Sequence, residues 1–166
     1  DHSGVHAIGN IQKNFFVADY LLYPNEYMMN HMIEDYMLEK ICDAKCILHG
    51  DPRNDVFFQS KKQEIIDKYH LNQKEIIAYM PTWRGVVGHI QDEISTLKNI
   101  LRKIDQRLNE HQILMVNLHP FINDVINYDE FIHIMPFPNE YETYDVLNLS
   151  DQLITDYSSV FFDYAN

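Results

Sequence analysis

Residues able to hold a phosphate or move a proton follow several apolar runs of this 166-residue chain. His119 follows the apolar run 113–118, and an imidazole titrates near neutral pH, so it could act as an acid or base. Arg84 could grip a phosphate with its fork of donors. Ser158 and Ser159 offer hydroxyls beside the backbone N–H groups of a predicted helix start. These residue types predict a site for a phosphate-bearing ligand.

Each of these residues also has a plainer interpretation. His119 could brace a loop backbone, and Arg84 and Arg53 could form surface ion pairs with the plentiful acidic residues. The two serines could cap a helix, which is compatible with phosphate binding. Asp156 would repel a phosphate if it were ionised close by, so we expect it to orient a hydroxyl or to fix its turn.

The spacing of apolar residues predicts the elements that must position these side chains. Strands are predicted at 76–80, 113–118, 131–135 and 152–155, with helices at 92–109 and about 141–149. Alternating strands and helices indicate an α/β fold with a parallel, Rossmann-like sheet. Strand ends of such a sheet share one edge, where ligands bind. The residues expected at this edge are Thr82, Arg84, His119, Asp156, Ser158 and Ser159.

Composition and motif content exclude several classes of function. The net charge of −12 argues against nucleic-acid binding, and no apolar run is long enough to cross a bilayer. There is no Gly-x-Gly-x-x-Gly and no P-loop. Cys42 and Cys46, at a spacing that would share a helix face, are interpreted as reduced structural thiols rather than half of a zinc site. We predict no metal and no cofactor.

Several segments, taken together and in this order, resemble the CDP-glycerol glycerophosphotransferases, which include teichoic acid polymerases and primases and relatives in capsule synthesis. The segments are Ala18-Asp19-Tyr20-Leu21-Leu22, Gly50-Asp51-Pro52-Arg53-Asn54-Asp55, Pro81-Thr82-Trp83-Arg84, His119-Pro120 and Leu153-Ile154-Thr155-Asp156-Tyr157-Ser158-Ser159-Val160-Phe161-Phe162-Asp163-Tyr164. The resemblance runs from about residue 11 to the end of the chain.

The resemblance implies a GT-B architecture, in which two Rossmann-like domains face each other and the C-terminal one holds the nucleotide. The chain is then an excerpt of a two-domain enzyme. Residues 1–50 would be the end of the N-terminal, acceptor-side domain and residues 51–74 the crossover region. Residues 75–166 would form the nucleotide-binding domain, truncated at its C-terminus.

The resemblance also implies an activity, namely transfer of glycerol phosphate from CDP-glycerol to a hydroxyl of a teichoic acid-like or capsular polymer, with release of CMP. His119 would be catalytic. The family's second histidine, in a His-Gly-Thr-Pro element, is expected before Asp1, since Asp51-Pro52-Arg53 follows His49-Gly50. The residues expected to bind the nucleotide or its phosphates are Ser158, Ser159, Arg84, Thr82, Asp156 and Arg53.

Three alternatives to this activity stay open. The donor could carry ribitol phosphate, or the protein could be a GT-B glycosyltransferase that uses a sugar nucleotide. The chain by itself could be an inactive nucleotide-binding fragment. The resemblance implies a CDP-polyol and a polymer acceptor as partners, without nucleic acid. It implies a cytoplasmic protein at the inner face of a bacterial membrane, with membrane contact through parts outside these residues.

Overall fold

The computed structural model describes residues 2–59, 61–82 and 90–165. The chain divides into two compact units, Asp1–Asp55 and Val56–Asn166. Within the described residues, no helix is long and apolar enough to cross a membrane.

The first unit carries a pair of parallel strands. Its elements are α1 (His2–Phe16), β1 (Tyr20–Tyr23), α2 (Glu26–Asp35), a 3₁₀ turn (Leu38–Lys40) and β2 (Lys45–Leu48). Asn25 begins α2, because its side-chain oxygen accepts a hydrogen bond of 2.9 Å from the backbone N–H of Met28. β1 and β2 pair in parallel from Tyr20 opposite Lys45 to Tyr23 opposite Leu48.

The structure narrows or corrects two sequence-based expectations for this unit. The apolar run 15–22 predicts a strand, or a strand after a short turn. Phe15 and Phe16 belong to α1, and after a short turn the strand starts at Tyr20. Cys46 lies in β2, so it does not share a helix face with Cys42. Both thiols are free, and that of Cys42 donates to the Phe15 carbonyl at 3.3 Å.

The second unit is a four-stranded parallel sheet with helices on its faces. Its strands are β3 (Glu75–Met80), β4 (Gln112–Val116), β5 (Ile134–Pro136) and β6 (Gln152–Thr155). Their order is β5-β4-β3-β6, and every neighbouring pair is parallel, which confirms the predicted sheet. The helices are α3 (Lys62–Lys68), α4 (Ile90–Asp105), α5 (Pro120–Asn123), α6 (Thr143–Leu149) and α7 (Val160–Tyr164). A 3₁₀ segment at Pro52–Phe58 runs from the first unit into the second, and another 3₁₀ turn occupies Tyr128–Glu130.

The two faces of the sheet carry separate apolar clusters, because successive side chains of a strand point to opposite faces. Ile76 and Ala78 of β3 pack on one face with the fully buried Leu149 of α6. Ile77 packs on the other face with Leu101 of α4. Burial on both faces explains why the central strands read as continuous apolar runs in the sequence.

β5 begins later than the sequence suggests. The apolar run 131–135 predicted a strand, but ladder pairing starts at Ile134. The Asp105 carboxylate accepts hydrogen bonds from the backbone N–H groups of Ile132 (3.2 Å) and His133 (2.8 Å). This carboxylate at the end of α4 therefore takes up the donors that a longer strand would have given to the ladder.

A set of polar contacts joins α3 to the loop between β5 and α6. Glu140 pairs with the Lys68 ammonium at 2.8 Å and accepts from the Tyr69 hydroxyl at 2.5 Å. The Tyr141 hydroxyl donates to Glu64 at 2.7 Å. These contacts hold a loop that starts at the carboxyl end of β5.

Candidate functional site

The order of the strands places a crevice at the carboxyl ends of β3 and β6. From β3 the chain adds β4 and then β5 on one side, and α6 then returns it to β6 on the other side. The helices that follow β3 and β6, which are α4 and α7, pack on opposite faces of the sheet. In open parallel sheets this topological switch point is where ligands bind.

Asp156 joins the two sides of the crevice. Its Oδ1 accepts a hydrogen bond of 2.7 Å from the backbone N–H of Thr82. One residue earlier, the Thr155 hydroxyl donates to the Met80 carbonyl at 2.6 Å. The main-chain oxygen of Asp156 accepts from the Ser158 N–H at 2.7 Å. The carboxylate therefore fixes the turn, which is one of the two roles expected of it, and Thr155 is a contributor that the sequence did not reveal.

The two serines lie in the turn between β6 and α7. Ser158 is half-buried and Ser159 is exposed. The Ser158 Oγ lies 3.4 Å from the Val160 nitrogen, a long hydrogen bond, and the Ser159 carbonyl accepts from the Phe162 N–H at 3.0 Å. α7 spans five residues, so its dipole is short. The hydroxyls and amides of the turn are what this segment offers to an anion.

His119 stands at the same edge of the sheet, one strand beyond β3. It comes three residues after the last residue of β4. Its carbonyl accepts from the N–H groups of Ile122 (2.8 Å) and Asn123 (3.1 Å), so this residue starts α5. Its side chain is exposed. The preceding Leu118 is buried, and this burial anchors the segment that presents the imidazole to solvent.

The described residues of the second unit include neither of the two candidate arginines. Arg53 lies in the first unit, where its guanidinium pairs with the Asp51 carboxylate at 2.8 Å. This pair matches the plainer interpretation of Arg53 as a surface ion-pair residue. Arg84 lies outside the described residues.

The described part of the second unit thus brings Thr82, Asp156 and Ser158 together at the crevice, with Ser159 beside them and His119 one strand away. The predicted placement of Thr82, His119 and Ser158 along one edge is confirmed. Within the described ranges 2–59, 61–82 and 90–165, no group of three or more His, Cys, Asp or Glu side chains is arranged to hold a metal ion.

Comparison with known proteins gives the chain its family. A sequence profile described as CDP-glycerol:poly(glycerophosphate) glycerophosphotransferase matches residues 2–166. The chain belongs to this family. Among similar proteins, the teichoic acid ribitol-phosphate primase of Bacillus spizizenii is 29% identical over 153 residues, with 89% of the chain covered. The teichoic acid glycerol-phosphate primase of Bacillus subtilis is 30% identical over 159 residues, with 95% covered.

The glycerophosphotransferase fold also matches a solved structure. A variant of the wall teichoic acid polymerase TagF superposes with a TM-score of 0.71 at 28% identity, and the match covers 94% of the chain and 40% of that structure. This likeness confirms the GT-B-like α/β class predicted from the sequence. The chain spans 38% and 40% of the lengths of the two primases.

Proposed function

We propose that the protein containing this chain transfers glycerol phosphate from CDP-glycerol to a hydroxyl of a teichoic acid-like or capsular polymer, with release of CMP. The observation that carries the proposal is the convergence of Thr82, Asp156 and Ser158 at the switch-point crevice of a family member. This crevice is where a parallel sheet of this kind receives a nucleotide.

The reaction is an attack of the acceptor hydroxyl on the β-phosphorus of the donor. A new bond forms between the acceptor oxygen and this phosphorus, and the bond to the bridging oxygen breaks, so that CMP leaves with that oxygen. His119 takes the proton of the acceptor hydroxyl or donates to the phosphoryl oxygens. Catalysis of this kind depends on positioning and on stabilising the charge of the phosphates.

The turn after β6 binds the donor in this proposal. The hydroxyls of Ser158 and Ser159 contact the pyrophosphate, and Thr82 contacts it from the opposite side of the crevice. Asp156 acts by holding the turn against Thr82, since its carboxylate is engaged with a backbone N–H at 2.7 Å. Arg84 completes the set of proposed phosphate contacts on the grounds of its guanidinium chemistry. Arg53, whose guanidinium pairs with Asp51 in the first unit, keeps its alternative role in a surface ion pair.

Ribitol phosphate is the second candidate for the transferred group. The ribitol-phosphate primase and the glycerol-phosphate primase resemble the chain almost equally, at 29% and 30% identity. The chemistry at phosphorus is the same for both donors, so the described contacts favour neither polyol. A sugar nucleotide is a weaker candidate, because the relatives described above act on polyol phosphates by name.

The proposal extends to domains, partners and location. Residues 75–166 form the nucleotide-binding part, residues 51–74 the crossover, and residues 1–50 the end of the acceptor-side domain. The partners are a CDP-polyol and a polymer that ends in a hydroxyl. The protein works in the cytoplasm at the inner face of the membrane, where such a polymer grows.

The full-length protein should be assayed with CDP-glycerol, CDP-ribitol and nucleotide sugars, with a teichoic acid-like acceptor present. We expect CMP release that depends on the acceptor with one of the two CDP-polyols. Turnover of a nucleotide sugar without turnover of either CDP-polyol would reject the proposal.

A further inference from the structure

The turn that carries Ser158 and Ser159 is fixed at both of its ends. At its start, β6 pairs with β3 and Asp156 contacts Thr82. At its end, Ser159 leads directly into α7. The position of α7 against its neighbours therefore decides where the two serine hydroxyls lie.

A buried carboxylate in α7 contacts the helix beside it. Asp163 exposes only 7% of its surface, and its Oδ2 accepts a hydrogen bond of 2.7 Å from the Tyr144 hydroxyl in the first turn of α6. Burying a carboxylate costs desolvation free energy that an apolar side chain of similar size would not cost. A carboxylate at this place instead gives a short, directional, charge-assisted hydrogen bond.

The contact lies at the ligand-binding edge of the sheet. α6 begins just after the carboxyl end of β5, so Tyr144 stands near that edge. Helical side chains lean toward the start of their helix, so Asp163 reaches back toward the serine turn. The Tyr144 ring packs edge-on against Phe57, with the ring centroids 5.9 Å apart, which restrains the hydroxyl that Asp163 meets.

We propose that Tyr144 and Asp163 are positioning residues that hold the Ser158–Ser159 turn in the geometry that receives the donor phosphates. This inference rests on the proposed function for the identity of the ligand. The hydrogen bond fixes the position of α7 along α6. Because the turn leads directly into α7, the bond also fixes the position of the turn.

The chain offers a matched control in the same helix. The Tyr164 hydroxyl donates to the Ser150 carbonyl at 3.0 Å. Ser150 precedes β6, so this second tyrosine contact lies at the amino edge of the sheet, away from the ligand. Tyr144→Phe and Tyr164→Phe each remove one hydroxyl that helps to hold α7, and they differ in which edge of the sheet loses the contact.

The first readout is hydrogen exchange of the backbone amides of residues 156–160 in the full-length protein, which requires no substrate. Tyr144→Phe should speed exchange in this turn by about tenfold. This is the change expected when the free energy of local opening of the turn falls by about that of one hydrogen bond. Tyr164→Phe should leave exchange in the turn near the wild-type rate. Unchanged exchange in Tyr144→Phe, or an equal increase in both variants, would overturn the inference.

The second readout is steady-state kinetics with CDP-glycerol. Tyr144→Phe should raise the donor KM by about tenfold with a smaller change in kcat, and Tyr164→Phe should raise neither. Asp163→Asn keeps an oxygen that can accept from Tyr144, so its donor KM should stay close to wild type. If Tyr144→Phe does not fold, Asp163→Ser removes the same contact from the other side. An Asp163→Asn donor KM as high as that of Tyr144→Phe would overturn the directional role.

The two proposals fail in different ways. A wild-type protein that does not turn over CDP-glycerol rejects the proposed function, while the exchange comparison still tests the role of Tyr144. A wild-type protein that is active with CDP-glycerol, with equal donor KM values in wild type and Tyr144→Phe, rejects the positioning role alone.

Discussion

At the scale of single residues, His119 combines a backbone that is held by hydrogen bonds with a side chain that is exposed to solvent. Its carbonyl begins α5, its neighbour Leu118 is buried, and its side chain is exposed to solvent at the carboxyl edge of the sheet. The proline that follows restricts His119 to an extended backbone and so helps to aim the imidazole. A group that is fixed in its backbone and exposed in its side chain suits acid–base work better than it suits core packing.

Replacing His119 tests this role directly. His119→Ala in the full-length protein should lower turnover by about 100-fold or more, the usual range for an acid–base group. The melting temperature should change little, because the side chain is exposed. The matched control is His111→Ala, an exposed histidine that precedes β4 at the opposite edge of the sheet. Near-normal turnover in His119→Ala would remove the catalytic role, and a large drop in its melting temperature would support a structural role.

Asp156 makes a prediction about stability. Asp156→Ala leaves the backbone N–H of Thr82 without its acceptor, which should lower the free energy of unfolding by about 1–3 kcal/mol. Asp156→Asn keeps an oxygen in the same place and should cost less. Urea unfolding of the two variants measures the difference. Equal stability of wild type and Asp156→Ala would mean that the contact does not hold the crevice.

At the scale of elements, strands were easier to predict than the segments between them. β3 and β6 appear in the sequence as apolar runs bounded by polar turns, and β6 spans the predicted residues 152–155. The apolar run 15–22 left open where the first strand begins, because Phe15 and Phe16 suit a helix end and a strand start equally well. The late start of β5 depends on Asp105, a residue distant in sequence whose hydrogen bonds no local pattern reveals.

The contact between α3 and the β5–α6 loop makes a prediction about pH. Hydrogen bonds from the Lys68 ammonium and the Tyr69 hydroxyl lower the pKa of Glu140 to about 2, from an ordinary value of 4.5. The folded state therefore holds fewer protons on Glu140 than the unfolded state does between these values. The stabilisation by Glu140 is present above about pH 4.5 and is lost as the pH falls toward 2.

Measuring the free energy of unfolding against pH for wild type and Glu140→Gln tests this assignment. The two curves should differ most above pH 5 and should approach each other below about pH 3. Lys68→Met removes the largest cause of the lowered pKa, so Glu140→Gln in that background should show a smaller difference. A wild-type advantage that stays constant down to pH 2 would contradict the assignment.

At the scale of the whole molecule, the sequence predicted which candidate residues share one edge of the sheet, but not the long-range contacts that hold them there. The α/β class, the parallel sheet and the shared edge of Thr82, His119 and Ser158 followed from apolar periodicity and from polar residues at strand ends. The crossing contact between Asp156 and Thr82 did not, because it joins residues 74 positions apart. The pairing of Tyr144 with Asp163 was also missed, because it depends on how α6 and α7 pack.

Binding of the donor phosphates by the turn after β6 can be measured by calorimetry of CDP-glycerol binding to the full-length protein. Replacing Ser158 and Ser159 together by Ala should weaken donor binding by about 1–3 kcal/mol, the range for hydrogen bonds to charged groups. Ser150→Ala, at the opposite end of β6, is the control and should bind the donor as wild type does. Equal donor affinity in wild type and the double variant would show that the two serines do not bind the donor.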